Sequence, residues 1–286
     1  MPEPVAIIPL HDHSATVCEV LDGVRGAGLK AIVVDDGSTD GGDAIVERWI
    51  LRHPADAELV RMNENRGKAA ALIQGMQVAE SRGARIAITI DADGQHDAAC
   101  LRSFAEAAHD ENSLVLGNRE PIPRGYPLAR LSGRMLSCIA VRAACGAVVH
   151  DAACGFRAYP LRHALSVKCT SGRYAWEEEI IARLTWRGVG IREVPIPVIY
   201  RDPEIARSHY RFLRDWPEGM AVLAWTIIVR VLDPRARWSR QHHGYAEIVW
   251  PVLRGDRLSL AFAAVSYTHR RCRRRLRCRS RWSPYH

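Results

Sequence analysis

The sequence lacks a run of about 18 consecutive apolar residues, the length that a membrane-spanning helix needs. The longest candidate, residues 220–232 (MAVLAWTIIVRVL), is shorter than that. No secretion signal opens the chain either, since Met1 to Pro4 lead directly into an apolar run. From these absences we expect a cytoplasmic protein, with peripheral association at the inner face of a membrane as the alternative.

Two further absences concern chemistry. The eight cysteines include no C-x-x-C spacing, so they predict neither a zinc site nor a disulfide framework, and buried thiols are expected. No glycine-rich phosphate loop with a basic residue follows the first apolar run, which reads IIPLHDHS. This second absence counts against a nucleotidyltransferase on a doubly wound sheet.

An excess of positive charge is found only at the end of the chain. Residues 1–234 hold 27 Lys and Arg against 30 Asp and Glu, a net charge of −3. Residues 235–286 hold 13 Arg against two acids, a net charge of +11. The overall charge of +8 therefore comes from the tail. The rest of the chain has no excess of positive charge, so we expect no nucleic-acid partner for it.

Two carboxylates follow the apolar run IAITI at residues 86–90. Asp91 and Asp93 are one residue apart, so on an extended strand they share a face and can reach one hard divalent cation. Gln95 and substrate oxygens would complete the oxygen shell. The spacing predicts Mg²⁺ or Mn²⁺ holding a diphosphate, whereas a plain acidic turn is the alternative.

Similar runs occur upstream, at residues 5–10 (VAIIPL) and 31–38 (AIVVDDGS). Segments of helical length, 15–27, 41–52 and 68–82, separate them, with apolar residues at helical spacing. Alternation of this kind predicts an α/β fold with a mostly parallel sheet and helices on both faces. The carboxyl ends of such strands should bring Pro9, Asp36 and Asp91 together.

Six segments in order resemble family 2 glycosyltransferases of the GT-A (Rossmann-like) fold, nearest to the dolichyl- and polyprenyl-phosphate sugar transferases. They span roughly residues 5–215 and read IIPLHDH, VVDDGSTD, NENRGKAAALIQGM, DADGQHD, HDAACGFRAYP and AWEEEIIARLTWRGVGIREVPIPVIYR. The resemblance implies an inverting, metal-dependent hexosyltransferase of cell-envelope glycan or glycolipid synthesis. Its donor would be a UDP-, GDP- or dTDP-sugar, and its acceptor a polyprenyl phosphate or another hydrophobic molecule.

The resemblance also assigns roles to residues. Asp36 would accept hydrogen bonds from the nucleotide base, Ala92 would lie against the ribose, and Asp91, Asp93 and Gln95 would hold the metal. The remaining donor-binding positions are Pro9, His11, His13, Arg119, Arg201 and His209. The family usually has Tyr at the position of His11 and Asn at that of Asp12.

A hydroxyl acceptor needs a carboxylate base within hydrogen-bond reach, whereas a phosphate acceptor is already ionised near neutral pH. Asp151 precedes CGFR on the loop that lines the acceptor site in the family, and it is the preferred base. Glu179 is second and Glu177 third, both in the helix predicted at 176–187. Acids there are also explained as favourable charge at a helix N-terminus.

The chain end is predicted as an amphipathic helix at 216–234, suited either to a membrane interface or to packing on the core, and a basic tail at 235–286. From about residue 265 the tail is a polybasic arm or a non-native stretch, since VSYTHRRCRR resembles a translated sequencing adapter. Besides the nucleotidyltransferase, a non-catalytic sugar-nucleotide-binding relative is an alternative. Such a relative would be expected to lose an aspartate of DADGQ or an acid near 151 and 177, and all are present.

Overall fold

The computed structural model describes residues 3–109, 111–120, 128–172, 175–197 and 199, with single helical positions at 221, 224 and 228. Its strands β1–β7 are Val5–Leu10, Lys30–Asp35, Ala57–Arg61, Ile86–Thr89, Ser113–Arg119, Arg157–Pro160 and Gly190–Ile196. Its helices α1–α7 are Val17–Gly26, Gly42–Arg52, Lys68–Ser81, Leu101–Ala107, Leu128–Cys145, Leu161–Ala164 and Ala175–Trp186, with a 3-10 turn at Ala98–Cys100.

The strands form one sheet in the order β3-β2-β1-β4-β6-β5-β7. Strands β1, β2, β3 and β4 run parallel, β5 and β7 are parallel to each other, and β6 is antiparallel to β4 and β5. The α/β class with a mostly parallel sheet is therefore confirmed, as are the three predicted strands and the helices of the first 82 residues.

Alternation along the strands places a core on each face of the sheet. Ile7 on β1 packs into one cluster with Leu72 and Met76 of α3. Its neighbour Ile8 belongs to the cluster on the opposite face, with Leu21 of α1. Buried on both sides, the central strands have the continuous apolar character seen in the sequence.

The topology brings the polar ends of β1, β2 and β4 to one edge of the sheet, because neighbouring parallel strands end on the same side. The missing N–H of proline suggests that Pro9 ends its strand, but β1 continues to Leu10. The ladder with β4 covers only Val5–Ile7 of β1, so Pro9 lies beyond it and its missing N–H breaks no bond there.

Several predictions from the sequence fall outside the described residues. They are the roles of Arg201 and His209, the domain boundary at 215, most of the helix at 216–234 and the basic tail at 235–286. The chain divides by its contacts into two compact units, Met1–Arg240 and Gln241–His286, and every described residue belongs to the first. Within the described part, no helix combines the length and the apolar character needed to cross a membrane.

Candidate active site

An ion pair forms the centre of the site. Asp91, just beyond β4, accepts the Lys68 ammonium at 2.7 Å from its Oδ1, and the Nζ atom also lies 3.3 Å from Glu177 Oε1. Lys68 is the first residue of α3 and Glu177 lies in the first turn of α7. Three separate segments therefore meet at this edge of the sheet.

The two aspartates predicted to hold a metal differ in their electrostatics. Burial alone would raise the pKa of Asp91, but the ion pair with Lys68, and lesser electrostatic contributions from His96 and His13, hold it below its ordinary value. The pKa of Asp93 is raised, because this carboxyl is buried and lies beside Asp91. A further positive charge at this position would favour ionisation of both carboxylates.

The aspartates alone do not make a complete metal site. In the described part of the chain, no group of three or more His, Cys, Asp or Glu side chains is arranged to hold a metal ion. The part of Gln95 that contacts Asp93 is its backbone amide, which donates to Asp93 Oδ1 at 3.0 Å. Two partly exposed carboxylates fit a hard divalent cation whose other ligands would be diphosphate oxygens and water.

His96 lies behind the aspartates and was not singled out from the sequence. Its side chain is 7% exposed, its Nε2 lies 3.9 Å from Asp91 Oδ2, and its ring tilts against Phe156. Burial lowers the pKa of His96, although Asp91 and Asp93 oppose that effect. The imidazole therefore favours its neutral form, and its Nδ1 has no hydrogen-bond partner among the described residues.

The loop after β1 is tied to the loop after β2. Asp12 Oδ1 accepts the Thr39 amide at 2.7 Å, and the Asp12 amide donates to Ser38 Oγ at 3.2 Å. The bond from Thr39 lowers the pKa of Asp12. Asp12 adopts φ +53°, a left-handed conformation that Asn and Asp tolerate better than most residues. This explains in physical terms how Asp replaces the family's usual Asn.

Asp36 holds a third loop. Its Oδ1 accepts the Arg66 amide at 2.7 Å and its Oδ2 the Gly67 amide at 2.8 Å, at the start of α3. Asn65 in turn contacts the ring of His11, 2.8 Å from its Nε2. His11 and Asp36 thus lie on connected loops, and Pro9 lies near the end of the adjacent strand β1. The contact of Asp36 with a nucleotide base stays a prediction, and only the remaining lone pairs of its carboxylate are available for it.

The predicted contact of Ala92 with a ribose stays a prediction, and only the backbone of Ala92 is placed to make it. Its side chain is 1% exposed and belongs to the core cluster under α1, while its carbonyl accepts the Thr16 hydroxyl. Ala92 and Asp93 form a turn beyond β4, in which the Ala92 methyl group is buried while Asp91 and Asp93 stay partly exposed. A ribose could meet the backbone here, but not the Ala92 side chain.

Asp151 is fully buried between two arginines. Its oxygens accept Arg119 Nε at 2.6 Å and Arg119 Nη2 at 2.8 Å, and Arg134 Nη1 lies 3.4 Å away. Arg134 also donates to Asn118 Oδ1 and to two backbone carbonyls. The arrangement does not support Asp151 as a base, because its lone pairs face guanidinium groups and it has no access to solvent. Arg119 was predicted to bind the donor, but its guanidinium group already forms an ion pair with Asp151.

Glu179, the second predicted base, is also buried and occupied. It accepts the backbone amides of Thr170 and Ser171, both of their hydroxyls, and Arg183 Nε. Burial alone would raise the pKa of Glu179, but the bonds from Ser171, Thr170 and Arg183 hold it below its ordinary value. Glu179 therefore fixes the loop before α7, and of the three predicted bases only Glu177 contacts the ion pair of Lys68 and Asp91.

Lys68, Arg134 and Gly155 are site residues that the sequence analysis did not identify. A Cβ on Gly155 would lie 2.6 Å from Asp91 Oδ2 and 2.7 Å from Lys68 Nζ, so a side chain at this position would displace both groups. Lys68 and Gly155 both lie inside recognised segments, NENRGKAAALIQGM and HDAACGFRAYP. Their positions in those segments were a usable signal, whereas nothing in the sequence singled out Arg134.

Comparison with known families gives one family match. The sequence model described as Glycosyl transferase family 2 matches residues 5–165, more than half of the chain. All the segments of the site up to Asp151, Gly155 and Arg157 lie inside that match.

Two characterised relatives are similar over most of their length. Polyprenol monophosphomannose synthase of Mycolicibacterium smegmatis is 26% identical over 215 residues, covering 71% of this chain and 79% of the relative. A UDP-N-acetylglucosamine–dolichyl-phosphate N-acetylglucosaminyltransferase of Methanococcus voltae is 26% identical over 220 residues, covering 71% and 88%.

Among solved structures, glucosyl-3-phosphoglycerate synthase of Mycobacterium tuberculosis, crystallised with Mn²⁺ and UDP, matches with a TM-score of 0.58. The two are 18% identical, and the match covers 81% of each chain. The likeness shows the GT-A fold that the sequence predicted.

Proposed function

The chain belongs to glycosyl transferase family 2, and we propose that it moves a sugar from a nucleoside-diphosphate sugar to a polyprenyl phosphate or a related lipid-linked phosphate, with inversion at the anomeric carbon. The observation that carries this proposal is the cluster of Asp91, Asp93 and Lys68 at the edge where three parallel strands end. The two relatives named for polyprenol and dolichyl phosphate support the acceptor class.

Asp91 and Asp93 would hold Mg²⁺ or Mn²⁺ with the donor diphosphate. When bound, such a cation neutralises the charge that develops on the departing diphosphate. The chain's own residues prepare the position: Asp91 is kept ionised by Lys68, and Gly155 keeps the space beside both open. UDP and Mn²⁺ in the crystallised structure of the same fold support this choice of ligands.

The nucleoside would lie on the connected loops that carry His11 and Asp36, beside Pro9 of β1, with His13 nearer the diphosphate. His13 is close enough to Asp91 that its charge lowers the pKa of that aspartate. The bonds from Asp36 to Arg66 and Gly67, and from Asp12 to Thr39, hold these loops in place before a donor arrives. Preformed loops bind a nucleotide with a smaller loss of conformational entropy.

The state of the acids favours a phosphate acceptor over an alcohol. Both preferred bases, Asp151 and Glu179, are buried and hydrogen-bonded, so neither is ready to take a proton. A phosphate needs little deprotonation, because it is already ionised near neutral pH. Two arginines around the single carboxylate of Asp151 also leave net positive charge at the end of β5, which suits an anionic group.

The test uses purified full-length protein with excess Mn²⁺ and UDP-, GDP- and dTDP-sugars. Each donor is offered a short polyprenyl phosphate and, in parallel, the polyprenol of the same chain length. We expect release of nucleoside diphosphate and glycosylation of the phosphate only, measured by mass spectrometry of the lipid, and loss of both in Asp93→Ala. Equal transfer to the alcohol would contradict the acceptor class, and no transfer from any donor would contradict the function.

A further inference from the structure

Lys68 occupies a position that helix stability does not explain. It is the first residue of α3, where the helix dipole disfavours a positive charge. It is also largely buried, with 16% of its side chain exposed. Its ammonium is held instead by Asp91 at 2.7 Å and faces Glu177 at 3.3 Å. The placement therefore serves the acidic site.

Glu177 is a second carboxylate within ion-pair distance of the Lys68 ammonium. Its side chain is 7% exposed, and its buried Oε1 accepts no hydrogen bond within the described residues, although it lies within ion-pair distance of Lys68 Nζ. The segment of α7 that carries it is fixed, since the fully buried Arg157 donates to the Glu177 carbonyl. A small shift of Nζ away from Asp91 would give Glu177 Oε1 a full hydrogen bond.

Gly155 packs directly against the ion pair because it has no side chain. A side chain at this position would collide with both Asp91 and Lys68. The loop around it is firmly held, because Thr89 donates to the Gly155 carbonyl at 2.7 Å and Arg157 donates to the Cys154 carbonyl at 2.7 Å. The close approach of the Gly155 backbone to the ion pair is therefore a fixed feature of the loop.

We propose that Lys68 is an internal counter-ion that holds Asp91 until a divalent cation binds, and that its ammonium then transfers from Asp91 to Glu177. The inference rests on the cation-binding role of Asp91 and Asp93 proposed above. A divalent cation held by Asp91 and Asp93 would repel the Lys68 ammonium, and Glu177 offers that ammonium a carboxylate oxygen at 3.3 Å. Lys68 is thus a positioning residue that sets how tightly the free enzyme binds metal.

The first test measures Mn²⁺ binding to the full-length protein without nucleotide, from the electron paramagnetic resonance signal of free Mn²⁺. We expect Lys68→Met to bind Mn²⁺ at least about tenfold more tightly than wild type, because a like charge next to the ion is removed. Lys68→Arg, which keeps the charge, should stay within about threefold of wild type. Lys30→Met removes an exposed lysine at the start of β2 and should change nothing. Equal or weaker binding by Lys68→Met overturns the proposal.

The second test follows the movement itself. The chain has only three lysines, Lys30, Lys68 and Lys168, so protein labelled with ¹³C at lysine Cε gives three assignable sites. We expect the Lys68 signals to shift on saturation with Mg²⁺ and those of the two exposed lysines to stay in place. In Glu177→Gln the Lys68 shift should be reduced and Mn²⁺ binding weakened. An unmoved Lys68 signal at saturation overturns the transfer.

Asp93→Ala separates failure of this inference from failure of the proposed metal site. If Asp93→Ala abolishes Mn²⁺ binding while Lys68→Met leaves it unchanged, the metal site stands and only the role of Lys68 is wrong. If Asp93→Ala binds Mn²⁺ as wild type does, the proposed metal site is wrong and the inference falls with it. Thermal melting of each variant establishes that the protein measured is folded.

Discussion

Asp151→Asn should destabilise the fold instead of removing a catalytic base. The substitution keeps the size of the side chain but leaves Arg119 and Arg134 facing a neutral amide inside the protein. Breaking a buried pair from one side costs about 3–5 kcal/mol. Arg119 keeps 24% of its side chain exposed and can recover some hydration, so we expect a loss near the lower end, about 3 kcal/mol.

Urea denaturation followed by tryptophan fluorescence at pH 7 gives the free energy of unfolding by linear extrapolation. Asp56→Asn is the matched control, because it makes the same chemical change in an exposed ion pair. Its partner Arg25 lies 2.9 Å away, and the two side chains are 52% and 35% exposed for Arg25 and Asp56. An ion pair of this kind contributes about 0–1 kcal/mol.

A double-mutant cycle with Arg119→Met sharpens the test. Removing Asp151 and Arg119 together lowers the unbalanced charge, so the double variant should lose less stability than the sum of the single changes. Turnover per folded molecule should fall by much less than the roughly 10²–10⁴-fold that is typical of a lost general base. Near-normal stability combined with such a collapse of turnover would restore Asp151 as the base and refute this reasoning.

Three further predictions concern the same site. Asp93→Ala should lose Mn²⁺ binding and turnover while melting like wild type, since it removes a polar group and no core packing; activity retained in excess EDTA would contradict this. Gly155→Ala should weaken Mn²⁺ binding by pushing Lys68 and Asp91 apart, and unchanged binding would show that the loop yields. Glu179→Gln should lower stability at pH 7 by about 2–4 kcal/mol through its buried bonds. Because folding lowers the pKa of Glu179, its carboxylate stabilises the fold above the ordinary pKa of 4.5, and this stabilisation is lost as the pH falls below that value. A stability difference between wild type and Glu179→Gln that stays constant down to about pH 3 would contradict this prediction.

The order of local patterns was sufficient to predict the fold class. Apolar runs that stop at carboxylates, separated by amphipathic segments, indicate parallel strands and covering helices, and both are local properties of the chain. The same patterns placed Pro9, Asp36 and Asp91 at one edge, because parallel neighbours must end together. The antiparallel β6 carries no comparable local mark, since its pairing with β4 and β5 depends on where the long connection from α5 returns.

Which acids are available for chemistry was decided by tertiary structure alone. Asp151 and Glu179 are as acidic in the sequence as Asp91, yet folding surrounds the first with arginines and the second with the amides of the loop before α7. The sequence determined which residue types stand at each strand end and helix start. Whether a carboxylate there faces solvent, a guanidinium group or Lys68 depends on segments distant in the chain, because a charge in a protein interior takes its properties from the neighbours that packing brings to it.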